Sequence, residues 1–144
     1  MAMTPNDERL ARIMLEARTI AMVGASLRAE RASYGVARYL VDVGYRVIPV
    51  NPGYVGQELF GEAFVSDLTE IEGPLDLVNL FRRSEDVPPH VEEALSLPQR
   101  PKTIWMQLGI SSAEARASAE AQGLQVVENR CLLVEHRRLI SRRD

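Results

Sequence analysis

Short apolar runs ending near glycine or proline alternate along this chain with amphipathic stretches at helical spacing. That alternation leaves few folds open. Thr19 to Val23, Arg46 to Val50, Leu75 to Phe81, Thr103 to Gln107 and Gln125 to Val127 read as strands. They are mostly continuous apolar runs, as in strands covered on both faces. Between them lie helical patterns: Asp7 to Ala17, Tyr34 to Val43 with Gly44 as its stop, and Ser84 to about Leu97 with Pro88-Pro89 in the first turns. Ser111 and Glu114 have capping-box spacing for a helix running to Gln122 and stopping at Gly123. Cys131 to Ile140 closes the series. Ser66 to Ile71 reads as a short helix with Ser66 as N-cap, and Tyr54 to Glu62 as a short edge strand or an extended loop.

Strands alternating with helices in this way build crossover units and a parallel sheet. Right-handed crossovers then favour one arrangement. The expected fold class is α/β, a Rossmann-like doubly wound, mainly parallel sheet of five or six strands with helices on both faces. With 144 residues and no linker or repeat, one domain is expected over residues 1–144.

Composition narrows the function. A formal charge of −3 argues against a general nucleic-acid binder. One cysteine, Cys131, excludes an internal disulfide framework and a cysteine metal cluster, and two histidines, His90 and His136, exclude a histidine-rich metal site. No apolar stretch approaches the ~20 residues that span a bilayer, and no signal-peptide core precedes Arg18, so a cytoplasmic protein is expected. Lys102 is the only lysine beside many arginines, whose planar forks suit phosphate; position, not number, decides what they do.

In a doubly wound sheet the ligand lies beyond the carboxyl ends of the strands, where the strand order reverses. The flanking ends here carry Gly24-Ala25-Ser26 and Phe81-Arg82-Arg83, with Arg28 and Arg31 in the first loop. Backbone N–H groups, a serine hydroxyl and converging arginines would suit a phosphorylated ligand. The dinucleotide fingerprint is incomplete: Ser26 holds the second glycine position and Ala29 the third. The second strand ends Ile48-Pro49-Val50-Asn51-Pro52 without the acid an NAD site uses on its ribose, which disfavours NAD.

The runs Ile20-Ala21-Met22-Val23-Gly24-Ala25-Ser26, Ser33-Tyr34 and Gly44-Tyr45-Arg46-Val47-Ile48-Pro49-Val50-Asn51-Pro52 resemble those of the small CoA-binding domain proteins. These are stand-alone relatives of the N-terminal domain of the succinyl-CoA synthetase α subunit. Trp105 to Ile110 and Arg130-Cys131 are similar to later motifs of that group, so the resemblance covers about residues 15 to 136. It implies a Rossmann-type fold that binds CoA, or an acyl-CoA, through its nucleotide end. Gly24, Ala25 and Ser26 would hold the pyrophosphate. Val50, Asn51 and Pro52 would border the adenosine, with Phe81 and Arg82 on the facing wall. Ser33 and Tyr34 would open the first helix near phosphate, and Gln107 and Gly109 would lie towards the pantetheine arm. Two departures stand out. Ala29 and Ala32 replace prolines common in the first loop, and Asn129 stands where an aspartate is usual.

No catalytic group assembles from local spacing. Cys131 reads as a small buried residue, with a mixed disulfide to CoA as the alternative. His136, between Glu135 and Arg137-Arg138, reads as a surface or helix-end group, and His90 has no evident partner. Trp105, Tyr39 and Tyr45 read as core or interface residues, and the C-terminal arginine pairs as a solvated tail. The synthetases' phosphorylated histidine belongs to a further domain, so ligase activity is not expected of this chain alone. The expectation is a non-catalytic CoA carrier, sensor or partner module. An NAD(P)-dependent oxidoreductase domain, or a drifted site acting through protein contacts or a homodimer, is the alternative.

Overall fold

The computed structural model describes residues 2–140. Five parallel strands form the sheet: β1 (Thr19–Val23), β2 (Arg46–Val50), β5 (Leu77–Leu80), β6 (Thr103–Met106) and β7 (Gln125–Val127), in the order β2-β1-β5-β6-β7. The remaining strands, β3 (Glu58–Leu59) and β4 (Glu62–Ala63), make a small antiparallel hairpin beside β2. This resolves the Tyr54 to Glu62 stretch into a hairpin and turns. The five strands, not six, are the α/β doubly wound arrangement expected from the alternation.

Each face of the sheet buries its own core. Ile20, Met22, Leu77 and Trp105 pack under α1 (Pro5–Glu16), α2 (Ala32–Asp42) and α5 (Leu132–Leu139). Ala21, Val23, Val78, Leu80, Ile104 and Met106 pack under α3 (Val87–Leu95) and α4 (Ala113–Ala121). Period-two alternation sends neighbouring residues to opposite layers, so both sides of the strands are mostly apolar, with Asn79 in β5 and Thr103 in β6 as buried polar exceptions. Pro49 sits in a strand because β2 is the sheet's edge, where a missing N–H costs no ladder bond.

Local capping moved several boundaries. Helix α1 starts at a Thr4–Asp7 capping box with Pro5 in its first turn, so it opens before Asp7. Ser112, not Ser111, caps α4 by accepting from the Ala115 N–H. The Ser66 to Ile71 segment holds a 3-10 turn over Leu68–Glu70, capped by Asp67 rather than Ser66. Ser84 does not cap α3; it opens a 3-10 turn, and its hydroxyl accepts from the Ser111 N–H.

Among the described residues no helix is long and apolar enough to cross a membrane.

Candidate functional site

Strand order reverses between β1 and β5, which are neighbours although β2 follows β1 in the chain. Their carboxyl ends therefore flank the crevice of a doubly wound sheet. Gly24 follows β1 at φ +88, with its N–H donated to the Val50 carbonyl at 3.0 Å. Phe81 follows β5 and donates to the Val23 carbonyl at 2.8 Å. The two turns thus leave the sheet already joined.

The loop from Gly24 to Arg31 is held from below and from the side. Asn51 donates to the Ala25 carbonyl at 2.9 Å, while its own side-chain oxygen accepts from Gly53 at 2.9 Å. The Ser26 hydroxyl accepts from the Arg28 N–H at 3.0 Å and pairs with the Tyr54 hydroxyl at 3.2 Å. Meanwhile the backbone N–H groups of Ala25, Ser26 and Leu27 donate to no described residue. Ala25 and Ser26 are buried, and buried backbone donors are seldom left unpaired. Three consecutive uncommitted N–H groups beside the switch point are donors that an anion could use.

A cavity of about 180 Å³ lies here, lined by Gly24, Val50, Asn51, Pro52, Ser66, Asp67, Arg82, His90 and Glu93. It brings together five of the residues named from sequence: Gly24, Val50, Asn51, Pro52 and Arg82. Four others come from elsewhere in the chain. Ser66 and Asp67 arrive because Val65 bridges to Val50, extending the edge beyond β2. His90 and Glu93 stand three residues apart on α3, on one helix face. Burial, and then the Arg82 charge, hold the His90 imidazole below its ordinary pKa, against the opposing pull of Glu93 and Asp86.

The remaining residues named from sequence spread around this centre. Arg28 pairs with Glu30 at 2.9 Å, and Arg83 turns to Asp86 at 3.2 Å and Glu85 at 3.5 Å. Arg31 is exposed at the N-cap of α2, where it makes no capping bond with its side chain. Ser33 is buried in the first turn of α2, and Tyr34 packs against Phe60 with ring centroids 5.1 Å apart. Gln107 is only 8 % exposed, yet its Oε1 has no hydrogen-bond partner among the described residues. The Gly109 N–H donates to Asn129 Oδ1 at 2.6 Å. Asn129 holds a left-handed φ of 57, which short amide side chains tolerate. Its departure from aspartate leaves that acceptor in place.

Two readings from sequence are refined. His136 stands at the helix end, in the last turn of α5, and not on the surface: it is 6 % exposed, with Nδ1 2.8 Å from the Tyr39 hydroxyl. The end of β2 carries no acid, as the sequence reads, but Asp67 and Glu93 from later in the chain line the same cavity. Trp105 is fully buried and donates to the Arg130 carbonyl at 2.8 Å, as a core residue should.

A larger groove of about 350 Å³ lies at the opposite, amino end of the sheet, beside Arg9, Arg12, Asp76 and Lys102. Its polar groups are partly committed: Arg9 to Gln125 and Val126, Asp76 to the N–H groups of Arg18 and Thr19. The topology favours the carboxyl-end cavity, where loops converge at the reversal of strand order.

Comparison with known proteins identifies the family of the fold. The family model described as CoA binding domain matches residues 18–137. The uncharacterized protein YneT of Bacillus subtilis is 38% identical over 132 residues, covering 92% of this chain and 95% of YneT. A solved Thermus thermophilus protein, cell-free ID.343, is 41% identical with a TM-score of 0.89, covering 94% of this chain and 99% of that one. A hypothetical protein from Pyrococcus horikoshii OT3 is 34% identical with a TM-score of 0.88, covering 98% of this chain and 100% of that one. The family match takes in every strand of the sheet, both loops of the crevice and the helices between them. By that match and by its fold, the chain belongs to the CoA binding domain family.

Proposed function

We propose that this protein binds coenzyme A, free or acylated, through its nucleotide and pyrophosphate end, as a non-catalytic carrier, sensor or partner module in the cytoplasm. The observation that carries the reading is the run of uncommitted N–H groups at Ala25, Ser26 and Leu27, directly after Gly24, which lines one cavity with Arg82, in a chain of this family. The pyrophosphate would lie on that run, with the adenosine against Val50, Asn51 and Pro52. The chain beyond it would pass Phe81 towards Gln107.

These residues bind and orient; they do not present an assembled nucleophile and base. His136 is engaged by Tyr39, and His90 faces the cavity beside Arg82. A module of this kind acts by what its bound form meets, whether a second copy or a different protein.

One observation favours a second reading. Asp67 and Glu93 line the cavity, and a carboxylate there could take the ribose hydroxyls of an NAD-type dinucleotide. Calorimetric titration of ligand-free protein with CoA, and separately with NAD, tests both. Saturable binding of CoA but not NAD is expected. Binding of NAD alone would replace the CoA reading, and binding of neither would remove it.

A further inference from the structure

His90 and Arg82 reach one cavity from different parts of the chain, His90 from α3 and Arg82 from the loop after β5. Their neighbours differ from them in a telling way. Arg83, next in sequence, is held by Glu85 and Asp86, whereas Arg82 makes no hydrogen bond or ion pair with any described residue. Neither ring nitrogen of His90 has a hydrogen-bond partner among the described residues.

The acids of the cavity are already occupied. Asp67 accepts from the N–H and the hydroxyl of Thr69, and Glu93 accepts from the Leu68 N–H at 2.8 Å. Two nitrogen-bearing side chains are thus left open while the carboxylates are engaged. The two open side chains, and not the overall charge of a cavity that also holds the Asp67 and Glu93 carboxylates, are what an anion in addition to the pyrophosphate would meet; the pyrophosphate's donors lie in the loop after β1.

We propose that His90 and Arg82 together read a phosphate monoester on the ribose of the bound nucleotide, so that the pocket selects CoA over dephospho-CoA. The inference rests on the CoA reading and names a specificity device within it. Arg82 supplies a fixed positive charge, and His90 adds a second when protonated. The groups facing His90 are Arg82 from the β5 loop, Asp86 from the turn before α3, Glu93 on its own helix, and Asp67 across the cavity. A phosphate between His90 and Arg82 would reverse the effect of that arginine and draw a proton onto the imidazole.

The test is calorimetric titration of the whole protein with CoA and with dephospho-CoA at pH 6.0 and pH 8.0. Wild type, His90→Gln and Arg82→Gln are compared. Wild type is expected to prefer CoA by about tenfold or more, with the preference kept or enlarged at pH 6.0. The phosphate's own second ionisation near pH ~6 weakens its charge on acidification. In His90→Gln the preference should therefore shrink at pH 6.0 by about fivefold relative to wild type. In Arg82→Gln it should shrink at both pH values. Equal affinity of wild type for the two ligands would overturn the inference while leaving CoA binding intact. An unchanged preference in His90→Gln at both pH values would remove His90 from it. Failure of wild type to bind either ligand would instead overturn the CoA reading, and this inference with it.

Discussion

A Cβ on Gly24 would stand 2.3 Å from the carbonyl oxygen of Phe81. The residues that open the two loops of the crevice are therefore packed backbone against backbone. The glycine that a dinucleotide fingerprint would assign to phosphate is first required by the neighbouring strand.

Gly24→Ala should destabilise the protein on two counts, the left-handed φ of +88 and the collision with Phe81. The φ alone costs about 1–2 kcal/mol. Gly35→Ala is the control, since Gly35 lies inside α2 with nothing within 4 Å of a new Cβ. It should stabilise by about 0.5–1 kcal/mol. Urea denaturation of both variants measures the contrast; Gly24→Ala as stable as wild type would contradict the packing.

Asn51→Ala should cut the tie between the ends of β1 and β2, because one side chain bonds both Ala25 and Gly53. Loss of stability by about 1–2 kcal/mol is expected from those two bonds. CoA affinity should fall as well, since the Ala25–Ser26 peptide, and with it the Ser26 N–H, would no longer be held in place. Melting and calorimetry on the same sample separate the two effects.

The adjacent arginines should behave differently. Arg82→Ala removes an exposed, unpaired guanidinium from the cavity wall and should weaken CoA binding by about 1.5–3 kcal/mol with little change in stability. Arg83→Ala removes a side chain already paired with Glu85 and Asp86 and should change affinity far less. Equal losses from the two would mean that charge near the crevice matters and position does not.

Stability should fall on mild acidification. Burial holds His136 below its ordinary value of 6.5, so the unfolded chain takes up the proton first. Stability is then fully present above about pH 6.5 and is lost as pH falls through the lower folded-state value. His90 is shifted the same way and adds to the loss. Urea melts at pH 7.5 and 5.5 should show the drop, and His136→Gln should show a smaller one. An unchanged drop in His136→Gln would place its source elsewhere.

The fold was legible because buried parallel strands need apolar residues on both faces, and runs such as Ile20 to Val23 and Leu77 to Leu80 announce themselves. The first loop and the end of β2 were legible for the same reason, since topology fixes where strand ends must meet. Caps were harder. Ser111 and Ser112 offer the same chemistry one residue apart, and only the backbone path decides which hydroxyl meets the Ala115 N–H. Asp67 was hidden because its approach depends on the bridge from Val65 to Val50, a pairing with no local signature. His90 was hidden because its neighbour Arg82 lies across the cavity and not at helical spacing. Its position one turn into α3, the helix that follows Phe81-Arg82-Arg83, was the available signal.

In the proposed mode of binding, CoA lies at the carboxyl ends of β1 and β5 with its pyrophosphate on the first loop. Following backbone amide resonances during titration with CoA tests it most directly. The largest shifts are expected on Ala25, Ser26 and Leu27, with Arg82 and His90 responding alongside them. Saturable binding whose shifts gather instead around Arg9, Arg12 and Lys102, at the other end of the sheet, would contradict it.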